Sequence, residues 1–324
     1  MKCLGIESTA HTFGVSVVDF NGSVLSNEKD VFTTSSGGMI PHEVAEHHCK
    51  VCDSLLKKAL EKANVTIKDI DLISYSHGPG LSPALIVGKD FANQLALKYK
   101  KDIIGVNHCI AHLTIGNLVT SAKDPVYLYV SGVNTQVIAL AGRKFRIFGE
   151  TLDIGLGNAL DKFGREAGLG FPAGPEIEKI ALKGKYIELP YTVKGMDVSF
   201  AGLVTKTKQL LEKGISKENL CFSMQETCFS MLAEVSERAM AHCEKNELLL
   251  IGGVGANKRL ISMLSKMCSD RGAKFYSVPL EYAGDQAAMI AWQGILEYKT
   301  SRRNSKIEIY PYERIDDVIW TSGR

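Results

Sequence analysis

Val126-Tyr127-Leu128-Tyr129-Val130-Ser131-Gly132-Val133-Asn134-Thr135-Gln136-Val137-Ile138-Ala139-Leu140-Ala141 reads as a strand, a polar turn and a second strand, and Lys144 to Phe148 adds a third. Runs of β-branched and aromatic residues bounded by Ser, Gly and Asn carry that reading. The chain opens in the same way. Cys3-Leu4-Gly5-Ile6 precedes a turn at Glu7 to Thr12 and a strand from Phe13 to Asp19, and Asn21-Gly22 marks a hairpin before Val24-Leu25-Ser26. Helices and a short buried strand follow each triplet. In the first half these are a helix over Pro41 to Ala63 with Val44, His48, Val51, Leu55 and Ala59 on one stripe, a strand at Asp71 to Ser76, and a helix at Lys89 to Tyr99. Ile103 to Val106 is then a strand leading into a helix with two histidines. In the second half they are helices near Ala159 to Gly168, Gly174 to Leu182 and Phe222 to Lys245, and a strand at Leu248 to Ile251. An apolar helix spans Ala287 to Leu296. The repeated order predicts two α/β domains of one kind across a cleft. The expected division is 1–122, completed by about 297–324, and 123–296.

The bulk numbers suit this. At 324 residues, 45% hydrophobic and 23% charged, the chain is long enough for two cores. A formal charge of +2 gives no large steering field, so nucleic-acid binding must rest on a local patch or a partner. Eight scattered cysteines suit a reducing compartment better than a disulfide framework. Cys49 and Cys52 follow His47-His48 on the first helix, with packing favoured over metal or redox chemistry. No signal peptide is visible and no apolar run nears the ~20 residues that span a bilayer, so no membrane partner and a cytoplasmic location are expected. The stretch Ser301 to Lys306 reads as a charged connector before a last short strand.

Chemistry concentrates in turns and in one helix. His108 and His112, in Asn107-His108-Cys109-Ile110-Ala111-His112, lie at i and i+4 on one helix face, where two neutral imidazoles can reach one ion or simply pack. The acidic residue of HExxH is missing, which excludes a zinc protease of that type. Glu7-Ser8-Thr9 and Ser131-Gly132-Val133-Asn134 are turns whose consecutive amides can form an anion nest. Gly252-Gly253-Val254-Gly255-Ala256-Asn257 is a strand-to-helix glycine turn where a ring or phosphate can approach and Asn257 can bond it. It matches neither a P-loop nor a dinucleotide fingerprint. His77-Gly78-Pro79-Gly80-Leu81-Ser82-Pro83 is an anion-binding turn, a support for the histidine helix, or a plain strand-to-helix turn. Asp153, Asp161 and Glu178 can accept from ribose hydroxyls or cap helices, and Asp285 is an N-cap or a hard oxygen ligand. Hairpin phosphate loops in both halves with a late glycine turn form the pattern of the actin, Hsp70 and sugar-kinase (ASKHA) superfamily, with RNase H-like domains.

From Leu4 to about Lys299 the chain resembles the tRNA threonylcarbamoyladenosine transferases, relatives of bacterial TsaD. The archaeal and eukaryotic type, catalytic subunit of the KEOPS complex, is the nearer pattern. The carrying motifs are Gly78-Pro79-Gly80-Leu81, Asn107-His108 with Ala111-His112, Leu128 to Gly132 with Asn134-Thr135-Gln136, Gly149 to Gly155, Val193 to Asp197, and Gly252-Gly253-Val254. The resemblance implies a divalent metal, iron or zinc, on His108, His112, Tyr129 and Asp285. It also implies an ATP- or AMP-type nucleotide, or threonylcarbamoyl-AMP, at Tyr129, Val130, Ser131, Gly132, Val133, Asp161, Gly174, Glu178 and Asn257. The implied reaction moves the threonylcarbamoyl group to adenosine 37 of ANN-decoding tRNAs. The implied partners are tRNA, a small atypical protein kinase, a dimer-forming subunit and an accessory subunit that docks tRNA. No general base is apparent.

Four places depart from the family pattern: Val133 for the second glycine of SGGN, Ala173 in GGP, Ala201 in SFSGL, and Gln286-Ala287 in DNG. They motivate one alternative, a weakened ATP-binding scaffold of the same complex. A sugar or acetate kinase of the same fold is disfavoured, because such kinases hold Mg²⁺ on carboxylates rather than paired histidines.

Overall fold

Two ladders of the same design organise the chain. In the first, β1 (Lys2–Glu7), β2 (Thr12–Asp19) and β3 (Val24–Val31) pair antiparallel. After α1 (Pro41–Lys62), β4 (Leu72–Gly78) joins β1 in parallel; after α2 (Ser82–Tyr99), β5 (Asp102–Asn107) joins β4 in parallel and runs into α3 (His108–Val119). The second begins with β6 (Val126–Val130), β7 (Thr135–Ala141) and β8 (Lys144–Glu150), again antiparallel. It continues through α4 (Leu156–Glu166), α5 (Gly174–Ala181), the two-residue strands β9 (Val193–Lys194) and β10 (Asp197–Val198), α6 (Ala201–Glu212) and α7 (Lys217–His242). Then come β11 (Glu247–Ile251), α8 (Lys258–Asp270), β12 (Lys274–Ser277), α9 (Leu280–Ala283) and α10 (Ala287–Lys299), with β11 and β12 added in parallel. The sheet orders β3-β2-β1-β4-β5 and β8-β7-β6-β11-β12 are superimposable as patterns. The duplication inferred from element order is therefore present strand for strand.

The computed structural model describes residues 1–33, 39–300 and 306–320. Two compact units result, one of Met1–Leu118 with Asp285–Arg324 and one of Val119–Gly284. The expected division gave 285–296 to the second domain. In the structure α10 instead lies on the first sheet, for a local reason. Ala287, Ala291 and Gly294 form a small-residue stripe that lets backbone approach backbone. A Cβ built on Gly5 of β1 would stand 2.3 Å from the Ala287 carbonyl oxygen, and one on Gly294 would stand 2.4 Å from Ser74 Oγ. Ser74 Oγ also donates to the Ile290 carbonyl at 2.9 Å. Strand alternation places Leu4, Ile6, Ile73 and Tyr75 on the other face, in a core with Phe13, Leu55, Phe91 and Ala92. In the second unit Leu128, Val137, Leu156, Phe163, Phe200, Phe229 and Leu250 form the corresponding core.

Helix α2 starts at Ser82, seven residues before the expected Lys89, because Pro83 sits in its first turn, where a missing N–H is harmless. Helix α6 and strand β12 were not anticipated. The residues after α10 also differ from expectation. Ser301 to Ser305 of the connector lie outside the described residues, and 306–320 contain turns and no strand. No helix among the described residues is long and apolar enough to cross a membrane.

His48 lies on the buried stripe of α1 and also makes polar contacts. It is fully buried in α1, with its ring 5.2 Å from that of Phe13. Its Nε2–H donates to the Ala10 carbonyl at 2.9 Å, and its Nδ1 accepts from His47 Nδ1 at 3.2 Å. His47 Nε2 in turn lies 2.8 Å from Asp30. Burial, reinforced by the charge of His47 and opposed by the Ala10 carbonyl, lowers the His48 pKa from 6.5 to about 4.

Two outcomes follow. Gly5→Ala has no flexible neighbour to displace and should cost about 3 kcal/mol in denaturant unfolding, whereas Gly170→Ala, with open space around it, should cost little. The unfolded chain protonates His48 near pH 6.5 and the folded chain only near pH 4, so stability should fall as pH drops through that window, with a slope up to about 1.4 kcal/mol per pH unit. His48→Gln should flatten that slope in melting curves recorded from pH 7 to 4.

Candidate functional site

The first unit carries a cluster of two imidazoles and a carboxylate. His108 opens α3 directly after β5, and His112 lies one turn on, with the rings 4.7 Å apart and nearly perpendicular. Asp285 precedes α10. Its Oδ1 is 3.2 Å from His112 Nε2 and 3.5 Å from His108 Nε2. Ligand-capable atoms of these three residues all lie within 4.8 Å of one another, the one such group of three among the described residues. Both histidines are buried and Asp285 is about one-fifth exposed. Tyr129, the fourth expected ligand, is buried on β6 of the second unit, paired through its backbone with Gln136 and Ile251.

Electrostatics are concentrated here. Burial disfavours charge on His108, but the adjacent Glu7 carboxylate and then Asp285 outweigh it and lift the pKa from 6.5 to about 9. Burial dominates at His112 and lowers its pKa. Burial would raise the Asp285 pKa, yet the hydrogen bond from His112 and the charges of both histidines hold it far below the usual range. Two imidazole nitrogens and one carboxylate oxygen converging on a small volume match the donor chemistry of Zn²⁺ or Fe²⁺, with positions left for other oxygen ligands.

The histidine helix is held from two sides. Asn107 Oδ1 accepts from Ile110 N at 3.1 Å, and Asn107 Nδ2 donates to Glu313 Oε2 at 2.9 Å. His77 Nε2 reaches the same Glu313 oxygen at 2.8 Å. Around them, Tyr310 N donates to the His77 carbonyl at 2.7 Å, Gly80 N to Pro311 O at 3.1 Å, and Leu81 N to Thr9 O at 2.8 Å. Of the three readings open for the Gly78-Pro79-Gly80 turn, support of the histidine helix is the one its hydrogen bonds serve. The segment 308–313 is thus a strap across this turn and the start of α3. Sequence reasoning missed it because these residues have no periodicity.

The two hairpin turns expected to bind anions differ. In the first, Thr9 N donates to Glu7 Oε1 at 2.7 Å and Ser8 N to Ser76 Oγ at 3.0 Å, so those amides are already used. The expectation of a nest at Glu7-Ser8-Thr9 is therefore corrected. In the second, Ser131 N and Asn134 N close the turn on Asn134 O and Ser131 Oγ. The amides of Gly132 and Val133 donate to none of the described residues.

The other candidate residues of the second unit are placed as follows. Val130 ends β6. Asp161 on α4 accepts from Ala173 N at 2.7 Å, and burial raises its pKa. Gly174 opens α5 with free space where a Cβ would be. Glu178 on α5 accepts from Lys258 N at 2.8 Å. Asn257 caps α8, accepting from Arg259 N and Leu260 N at 2.9 and 3.2 Å, and donates to Gln225 at 2.7 Å. One amide hydrogen of Asn257 is left over. Gly252, at φ +95° and 2.3 Å from Val130 O if it bore a Cβ, requires glycine and brings the turn against β6. Asp153 ties the loop to α6, accepting from Phe200 N and Ala201 N at 2.9 Å each, and so acts as a structural clasp. A groove of about 760 Å³ between α7 and α8, lined by Arg259, Met263, Met267 and Arg271, shares none of these residues.

The four departures are locally accommodated. Val133 is 72% exposed and outside the positive-φ set, so its backbone does not demand glycine. Ala173 is helical at φ −80°, and its Cβ fills the space opposite Gly164, where a second Cβ would stand 2.1 Å away. Ala201 opens α6. Gln286 still caps α10, accepting from Met289 N at 3.1 Å.

Comparison with known proteins finds relatives over most of the chain. The family described as TsaD, tRNA N6-adenosine threonylcarbamoyltransferase, matches residues 22–292. A tRNA N6-adenosine threonylcarbamoyltransferase of Thermococcus kodakarensis is 56% identical over 92% of this chain and 92% of its own. A probable bifunctional tRNA threonylcarbamoyladenosine biosynthesis protein of Methanothermobacter thermautotrophicus is 54% identical over 92% of this chain and 56% of its own. Full-length HypF in a phosphate- and nucleotide-bound form aligns at TM-score 0.62 with 12% identity, covering 92% of this chain and 46% of that one. The fold is of the actin-like ASKHA type.

Glu313→Ala should leave His77 Nε2 and Asn107 Nδ2 without their shared acceptor and lower stability by about 1–3 kcal/mol in denaturant unfolding.

Proposed function

The chain belongs to the family of tRNA N6-adenosine threonylcarbamoyltransferases, and on that footing we propose that its transfer reaction uses a divalent metal on His108, His112, Asp285 and Tyr129. It is a transferase of tRNA processing. Finer features of the reading are iron or zinc as the ion and threonylcarbamoyl-AMP as the donor. The acceptor is the exocyclic nitrogen of adenosine 37 in ANN-decoding tRNAs.

One observation carries the metal reading: three side chains 108, 112 and 285 residues along the chain bring ligand atoms within 4.8 Å. When bound, such an ion acts as a Lewis acid on the acyl or phosphate oxygen. The protein's own residues do the rest. Nε2 of each imidazole and Oδ1 of Asp285 face a common point. The amides of Gly132 and Val133 suit a phosphate, and Asp161, Gly174, Glu178 and Asn257 suit the remaining nucleotide. The adenine amine is a weak nucleophile, so holding it in line with the acyl carbon contributes more than a strong base.

The partner reading is that a KEOPS-type assembly supplies a small atypical protein kinase, a dimer-forming subunit and an accessory subunit for tRNA. A net charge of only +2 on a protein that handles tRNA supports a shared basic surface. So does the relative named bifunctional, whose chain extends well beyond the matched part. A cytoplasmic location fits a tRNA-modifying enzyme.

With partner proteins, tRNA and the adenylate donor, the purified chain should yield the modified nucleoside by mass spectrometry. His108→Ala and Asp285→Ala should each lose the ion by elemental analysis and at least about 100-fold in rate. No nucleoside from metal-loaded wild type would reject the catalytic reading. Activity appearing only in Val133→Gly would favour a weakened scaffold.

A further inference from the structure

We propose that Glu7 is the positioning residue of the metal site, fixing His108 with its proton on Nδ1 so that Nε2 presents a lone pair to the ion. This rests on reading His108, His112 and Asp285 as ligands. Strand alternation puts Cys3, Gly5 and Glu7 on the same face of β1, the face that Gly5 shows to Ala287 and Ala291 of α10. At the end of that row Glu7 is fully buried.

All of its partners among the described residues are donors. Oε1 accepts from Thr9 N at 2.7 Å and from Thr9 Oγ1 at 2.5 Å, and Oε2 lies 3.0 Å from His108 Nδ1. Because the Thr9 hydroxyl gives its hydrogen to Glu7, it can only accept from His108 Nδ1, 3.2 Å away. Both acceptors beside Nδ1 therefore demand a hydrogen there. A neutral imidazole with its hydrogen on Nδ1 has its lone pair on Nε2, the nitrogen facing Asp285. The carboxylate also raises the basicity of that nitrogen. Charge points the same way. With the ion bound in place of the His108 Nε2 proton, Glu7 and Asp285 place two negative charges around two neutral rings, which the dication balances.

The test is Zn²⁺ affinity of the full chain, measured by competition with a chromophoric chelator, together with the absorption spectrum of the Co²⁺-loaded protein. Glu7→Gln keeps the shape but presents an amide –NH₂ among donors, so Kd should rise about 10–100-fold and the Co²⁺ bands should shift. Thr9→Val removes one acceptor from Nδ1 and should raise Kd severalfold; it carries the test if Glu7→Gln does not fold. A lowered melting temperature of the metal-free protein with Kd within twofold of wild type, in whichever variant folds, would reduce Glu7 to a structural hydrogen bond and overturn the inference. Wild type that binds no Zn²⁺ would instead sink the ligand assignment itself.

Discussion

Buried negative charge is the constraint around which the first unit is arranged. Glu7 is fully enclosed and Asp285 mostly so, about one-fifth exposed, and each carboxylate finds donors within the protein. Thr9 supplies two of them to Glu7, and α3 supplies the others: His108 bonds toward Glu7, and His112 toward Asp285. Bringing the end of β1 and the start of α10 to the same helix requires α10 to lie very close to the sheet. Gly5 beneath Ala287 and Ala291, Gly14 against Ala287, and Gly294 over Ser74 allow that approach. The small-residue stripe and the charged cluster are two ends of one packing solution.

Much of this was legible in the chain. Both hairpins, the α1 stripe and the i, i+4 spacing of His108 and His112 depend on local periodicity, which sequence displays directly. What was hidden is nonlocal. Glu7 looked like part of a phosphate turn, since nothing nearby reveals that its acceptor oxygens are taken by Thr9 and His108. Asn257 looked like a ligand-binding amide, and its capping bonds to Arg259 and Leu260 had to be seen in place. The apolar pattern of α10 announces a buried helix but not which sheet it covers, so the division between units was drawn too late. The segment 308–313 has neither period nor motif, and its importance comes wholly from the backbone and side chains it meets.

The residues suited to chemistry sort cleanly by unit. Imidazoles and carboxylates gather in the first, while turn amides with no acceptor among the described residues, a raised-pKa aspartate and glycines with open space around them gather in the second. Departures from the family pattern fall in the second unit and at the start of α10. Each sits in its place without backbone strain, as the Ala173 Cβ filling the space beside Gly164 illustrates.

The interrupted first unit has a consequence for biosynthesis. Residues 1–118 leave the ribosome well before 285–324, with the whole of Val119–Gly284 between them. Until α10 emerges, the Gly5 and Ser74 face of the early sheet has no cover and Glu7 shares its pocket with no Asp285. The nascent polypeptide thus carries an unfinished apolar surface through most of its translation, and maturation of the histidine cluster is necessarily one of its last events.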